Sequence, residues 1–114
     1  MLRGGNWNGK QVVSSEWSKK VISVVTPLEE MNPIARRNGD FGYGYMWWIL
    51  QGKANTGAFK GAYSARGAMG QYITVLPALD MVIAHKTDAV YERSTTFVTY
   101  FKLLHLISDA KTKK

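Results

Sequence analysis

Between residues 41 and 87 the chain sets apolar runs end to end, with only short turns between them. FGYGYMWWIL, residues 41–50, alternates: Phe41, Tyr43, Tyr45, Trp47 and Ile49 share one face, and Gly42, Gly44, Met46, Trp48 and Leu50 the other. It reads as a strand. GKANTG, residues 52–57, is a turn, and 58–66 and 70–76 read as the second and third strands. Pro77-Ala78-Leu79-Asp80 turns the chain into a fourth strand, 81–87. A parallel crossover needs a dozen or more residues. None of these connections is that long, so the strands pair antiparallel with their sequence neighbours.

Helices flank this sheet. Ser14-Ser15-Glu16 has the hydroxyl cap and early acid of a helix start, and Trp17, Val21, Val24, Val25 and Leu28 follow as one apolar stripe. Ser18, Lys19, Lys20 and Ser23 form its polar face, and its β-branched content makes it dependent on packing. Pro27 and residues 31–40 read as a loop. Phe97, Val98, Phe101, Leu103, Leu104, Leu106 and Ile107 cover most of a second helix, with Thr99, Lys102, His105 and Asp109 on its polar edge. The expected fold is therefore α+β, an antiparallel sheet of about four strands flanked by an N-terminal and a C-terminal helix. Residues 1–114 read as a single unit, with 108–114 a flexible basic tail.

The chain contains no cysteine, which excludes disulfides, zinc ribbons and thiol chemistry. His85 and His105 lie far apart and beside no carboxylate cluster, so no metal and no other cofactor is expected. No run reaches the roughly 18 apolar residues of a membrane span. The formal net charge is +7, but Lys19-Lys20, Arg36-Arg37, Lys53, Lys60 and the lysine-rich end form no single basic stripe. Nucleic acid is not an expected partner.

AYSARGAMG, residues 62–70, is a run of small residues broken by one arginine. Small residues on a strand mark a close approach to the backbone. Two readings stand: a substrate lies against the strand, or a bulky neighbour such as Trp47 or Trp48 packs there.

LRGGNWNGKQVVSSEW, then FGYGYMWW, then AYSARGAMGQYITVLPALDMVIAHKT, in this order, resemble the C-terminal third of the serine β-lactamase-related family. That family comprises class C β-lactamases, penicillin-binding proteins, esterases and aminohexanoate-oligomer hydrolases. The Gly70-Gln71 pair is closer to its esterase and amide-hydrolase branches. The resemblance implies acyl transfer. A serine in Ser-x-x-Lys attacks a carbonyl, the lysine and a tyrosine of Tyr-x-Asn move the proton, and a Lys-Thr-Gly-like triplet edges the cleft. Carried over by position, Ala65-Arg66-Gly67 is that triplet and the Ala68 N–H is an oxyanion-hole donor. Ser64, Ala65, Arg66 and Gly67 are then the expected substrate-binding residues. Ala65 departs from the usual lysine or histidine, which argues against a penicillin-type substrate and leaves ester, amide or peptide hydrolysis. Arg66 should face away from Ala65 and pair with a carboxylate of the protein, or bind an acidic substrate group if the strand bulges at Gly67.

The other two motifs are missing. No tyrosine has asparagine two residues on. Ser-x-x-Lys occurs once, as Ser108-Asp109-Ala110-Lys111 at the end of the last helix, and Lys86-Thr87-Asp88 lacks the triplet's glycine. Both are chance matches, and Ser64 has no base near it in sequence. The chain is expected to be the C-terminal part of a larger hydrolase, inert alone, needing an N-terminal segment. A homodimer through the free strand edge or the aromatic face is the expected remedy without that segment. The alternative is a non-catalytic module binding a small molecule or peptide on Tyr43, Tyr45, Trp47 and Trp48. The compartment stays open: periplasmic or secreted with a leader upstream, cytoplasmic without one.

Overall fold

The computed structural model describes residues 2–88 and 90–112. Five strands form one antiparallel sheet in sequence order: β3 (Phe41–Tyr43), β4 (Trp48–Leu50), β5 (Tyr63–Gly67), β6 (Gln71–Leu76) and β7 (Met81–His85). A two-stranded ribbon, β1 (Asn6–Trp7) with β2 (Lys10–Gln11), precedes them. Helix α1 (Ser15–Lys20) follows the ribbon, and α2 (Phe97–Thr112) closes the fold. The α+β architecture expected from the sequence is present, with corrections inside it.

Residues 41–50 are a hairpin, not one strand. The Gly44 N–H donates to the Trp47 carbonyl at 2.8 Å, and Met46 adopts φ 67°. The cause lies at the start of the chain. The Tyr43 N–H donates to the Thr26 carbonyl at 2.8 Å, and the Tyr43 carbonyl accepts from Val25 and Thr26. A side chain at Gly44 would collide with the Ser23 carbonyl, so glycine is what admits this segment. The same pairing cuts α1 short. Ser14 caps it as expected, its Oγ accepting from the Trp17 N–H at 3.1 Å, but the helix ends at Lys20. Val21, Ile22, Val24, Val25 and Thr26 are β-branched and favour extended backbone, and a sheet edge is there to pair with. Val24 and Val25 are therefore exposed, and the buried residue of α1 is Ser18, not Trp17.

Helix α2 runs through Thr112, so residues 108–112 are helical rather than a tail; 113–114 lie outside the described residues. It buries Tyr100, Leu104 and Ser108 at four-residue spacing and leaves Val98 and Leu106 in solvent. The core joins Leu50, Phe59, Ala62, Tyr72, Leu76, Tyr100 and Leu104. Tyr72 and Tyr100 stack within it, ring centroids 4.2 Å apart. The opposite sheet face is open in part: Ile73 and Val82 are exposed, while Val75 is buried.

Tyr63 points to that open side and is capped by Trp47, edge-on at 5.1 Å. Its phenol is buried without a hydrogen-bond partner, and burial pushes its pKa up to about 12. Tyr63→Phe is expected to raise stability at pH 7 by up to about 1 kcal/mol, because an unsatisfied polar group is removed. Unfolded, the phenol ionises near pH 10, so the native state holds the proton longer and wild-type stability falls as pH rises from 10 towards 12. Urea unfolding at pH 8 and 11 should show a smaller alkaline loss in the variant. A residual loss will remain, because burial also raises Tyr72 and Tyr100.

Candidate functional site

The sequence places its candidate residues on β5 and the turn after it. Strand β4 pairs with β5 only at Ile49↔Tyr63 and Trp48↔Ser64. Strand β5 runs on, pairing with β6 alone at Ala65↔Ile73, Arg66↔Tyr72 and Gly67↔Gln71. Its β4-side edge is left without a partner strand from Ala65 to Gly67 among the described residues. The chain then turns through Ala68–Gly70, with Ala68 exposed and Met69 at φ 61°. A hollow of about 510 Å³ lies against this overrun, lined by Met46, Ala65, Gly67, Gln71, Ile73 and Lys86.

Both tryptophans contact β5 through its larger residues: Trp48 lies opposite Ser64 and over Arg66, and Trp47 lies on Tyr63. Trp47 packs edge-on against Tyr63, and Trp48 packs against Tyr43 at 5.0 Å. Tyr45 lies against Trp17. The aromatics of 41–50 thus have separate partners and do not present the single face that one continuous strand would have shown.

Two site residues stand differently from expectation. Ser64 is buried and its Oγ lies 2.9 Å from Thr74 Oγ1, which also accepts from the Tyr100 hydroxyl at 2.8 Å. It faces α2, not the hollow. Its alternation with Ala65 places it there. Arg66 also faces α2, as alternation predicts, but it has no carboxylate partner among the described residues. Its Cζ sits 3.5 Å from the Phe97 ring centroid and 4.1 Å from that of Phe41. Burial, with a smaller contribution from the Arg36 charge, pulls its pKa down to about 10.

The turn is clamped by residues that sequence reasoning missed. The Gly70 carbonyl accepts from Thr87 Oγ1 at 3.2 Å and lies 3.0 Å from His85 Nδ1. Gln71 Nε2 donates to the Thr87 carbonyl at 2.9 Å. The Tyr72 hydroxyl donates to the Thr95 carbonyl at 2.7 Å, and the Thr87 and Thr95 hydroxyls meet at 2.9 Å. The end of β7 and the lead-in to α2 therefore hold the β5–β6 turn from two sides. Thr87, in the Lys86-Thr87-Asp88 lookalike, is one of the clamps. Ser108, in the other lookalike, is buried and donates to the His105 carbonyl at 2.9 Å. Among the described residues no group of three or more histidine, aspartate or glutamate side chains could hold a metal, and no helix is long and apolar enough to cross a membrane.

No family model matches the sequence, and no curated protein matches it. Among solved structures the chain is similar to the "Putative 6-aminohexanoate-dimer hydrolase from Bacillus anthracis", with a TM-score of 0.69 and 24% sequence identity. The likeness covers 98% of this chain and 26% of that one, so the chain spans about a quarter of its neighbour's length. Nearly the whole chain thus shares its fold with part of a larger protein described as a hydrolase.

Proposed function

We propose that this chain is the C-terminal part of a β-lactamase-related serine hydrolase that transfers an acyl group from an ester, amide or peptide to water. The observation that carries this reading is the overrun of β5, a strand edge of small residues left unpaired beside an open hollow. A substrate carbonyl laid along Ala65–Gly67 would bring its oxygen to the Ala68 N–H as negative charge develops. One such donor is worth roughly 3–4 kcal/mol of barrier. Ala65 and Gly67 shape the cleft wall by being small. The serine nucleophile and its lysine and tyrosine bases come from residues outside these 114, and the open face with Ile73 and Val82 is where that segment packs. The likeness to part of a protein described as a hydrolase supports the same reading.

Two measurements test it. The chain alone should neither hydrolyse p-nitrophenyl esters nor be labelled by a fluorophosphonate. The source DNA upstream of the Met1 codon should continue in frame through Ser-x-x-Lys and then Tyr-x-Asn. An in-frame stop immediately upstream, or labelling of the chain itself, would overturn the assignment and leave the non-catalytic binding module.

A further inference from the structure

Arg66 is a half-buried cation with no carboxylate partner among the described residues. Its guanidinium is sandwiched by aromatic rings, with Cζ 3.5 Å from the Phe97 centroid, 4.1 Å from Phe41 and 4.8 Å from Trp48. Ring faces attract a cation by about 0.5–2 kcal/mol each, but they accept no N–H geometry of the kind a carboxylate provides. Nε and Nη2 are both buried and both without a hydrogen-bond partner. Arginine presents this edge to carboxylates as a two-point fork.

A second cation stands beside the first. Arg36 is exposed, and its Cζ lies 5.2 Å from the same Trp48 ring. The two side chains border a hollow of about 400 Å³ whose other walls are Ala35, Gly39, Asp40, Phe41, Trp48 and Phe97. Asp40 is the carboxylate of this wall, yet it pairs with neither arginine. Two like charges against one indole repel each other, and an anion between them in the hollow would relieve that repulsion. The volume suits a small molecule rather than an ion alone.

We propose that Arg66 and Arg36 bind the carboxylate of a small acid whose apolar body lies against Phe41, Trp48 and Phe97. This site is on the helix side of β5, across the strand from Ala65 and Gly67, and it does not depend on acyl-transfer chemistry. The same carboxylate chemistry has two sources, a free acid or a glutamate of a polypeptide, and the measurement separates them.

The probe is benzoate, added to the full 114-residue chain labelled with ¹⁵N-arginine, and the readout is the Arg66 Nε–H resonance, assigned through its own backbone. Benzoate should move this resonance saturably, while benzamide and sodium chloride at matched ionic strength leave it in place. Arg36→Met should weaken the apparent affinity about tenfold, the equivalent of one charge-assisted hydrogen bond. The comparison of benzoate with benzamide is made on the wild-type chain, so it stands even if a variant fails to fold. Equal shifts with benzamide or chloride, or no shift of Arg66, would overturn the site. A saturable shift with N-acetylglutamate amide but none with benzoate would overturn the small acid and assign the carboxylate to a polypeptide.

Discussion

Gly70→Ala should destabilise the chain by about 2–5 kcal/mol, read as a lower urea midpoint at unchanged m-value. Two costs combine. Gly70 has φ +83°, a left-handed conformation that costs an ordinary residue about 1–2 kcal/mol. A methyl group there would also lie 2.6 Å from both the backbone nitrogen and oxygen of Thr95. Such overpacking costs typically about 1–3 kcal/mol, because neighbours must move. Here the neighbours are not free to move. The Thr95 carbonyl already accepts from the Tyr72 hydroxyl, and the Gly70 carbonyl is held by Thr87 and His85. Relief requires giving up part of that clamp, which would shift Gly67 and Ala68 together with the turn. Gly57→Ala isolates the backbone cost, since Gly57 has φ +53° with nothing within 4 Å of the added methyl. Equal losses at the two positions would show that the contact with Thr95 is not what makes Gly70 glycine.

Leu104→Ala should cost about 3–5 kcal/mol, whereas Leu106→Ala should change stability by less than about 0.5 kcal/mol. Leu104 is 1% exposed and lies in the cluster with Leu50, Phe59, Leu76 and Tyr100. Deleting its isobutyl group removes apolar contacts and leaves a void among aromatic rings that cannot close over it. Leu106 is 67% exposed, and alanine is the better helix former. Both leucines sit in one apolar run of α2, so the pair separates burial from composition. A large loss at Leu106 would mean that the outer face of α2 is covered in solution. Urea unfolding of both variants at neutral pH decides this.

The local elements were legible in the residues. Ser14-Ser15-Glu16 reads as a capped helix start, and Ser14 is the cap; Pro77–Asp80 reads as the turn into the last strand and is one. Asp80 adopts the left-handed conformation that such a turn needs. The end of β5 was legible, as was the alternation that sends Arg66 and Ala65 to opposite faces, but its start was not: residues 58–62, expected as strand, form a helical turn and loop, and the strand begins at Tyr63. These features depend on residues within a turn or a strand of one another. Where a distant segment entered, the reading failed. Residues 41–50 alternate as cleanly as a strand can, yet break at Gly44–Trp47 because residues 23–26 pair with Tyr43. Ser108 stands beside a lysine-rich end and is nonetheless buried in a helix that continues past it.

The candidate site divides the same way. By itself the sequence determined the antiparallel order of the strands, since short connections permit no crossover, and it determined the small-residue strand at 62–70, since side-chain size is a property of single positions. Only the tertiary structure decided that β4 stops at Ser64 and frees the edge beyond it, and that Thr74 and Tyr100 take Ser64 into the core. It also decided that the rings of Phe41, Trp48 and Phe97 surround Arg66. Each of these outcomes is a choice of partner among groups ten or more positions away in the chain. Backbone preference is written within a few residues, but partnership depends on which surfaces the closed sheet brings together.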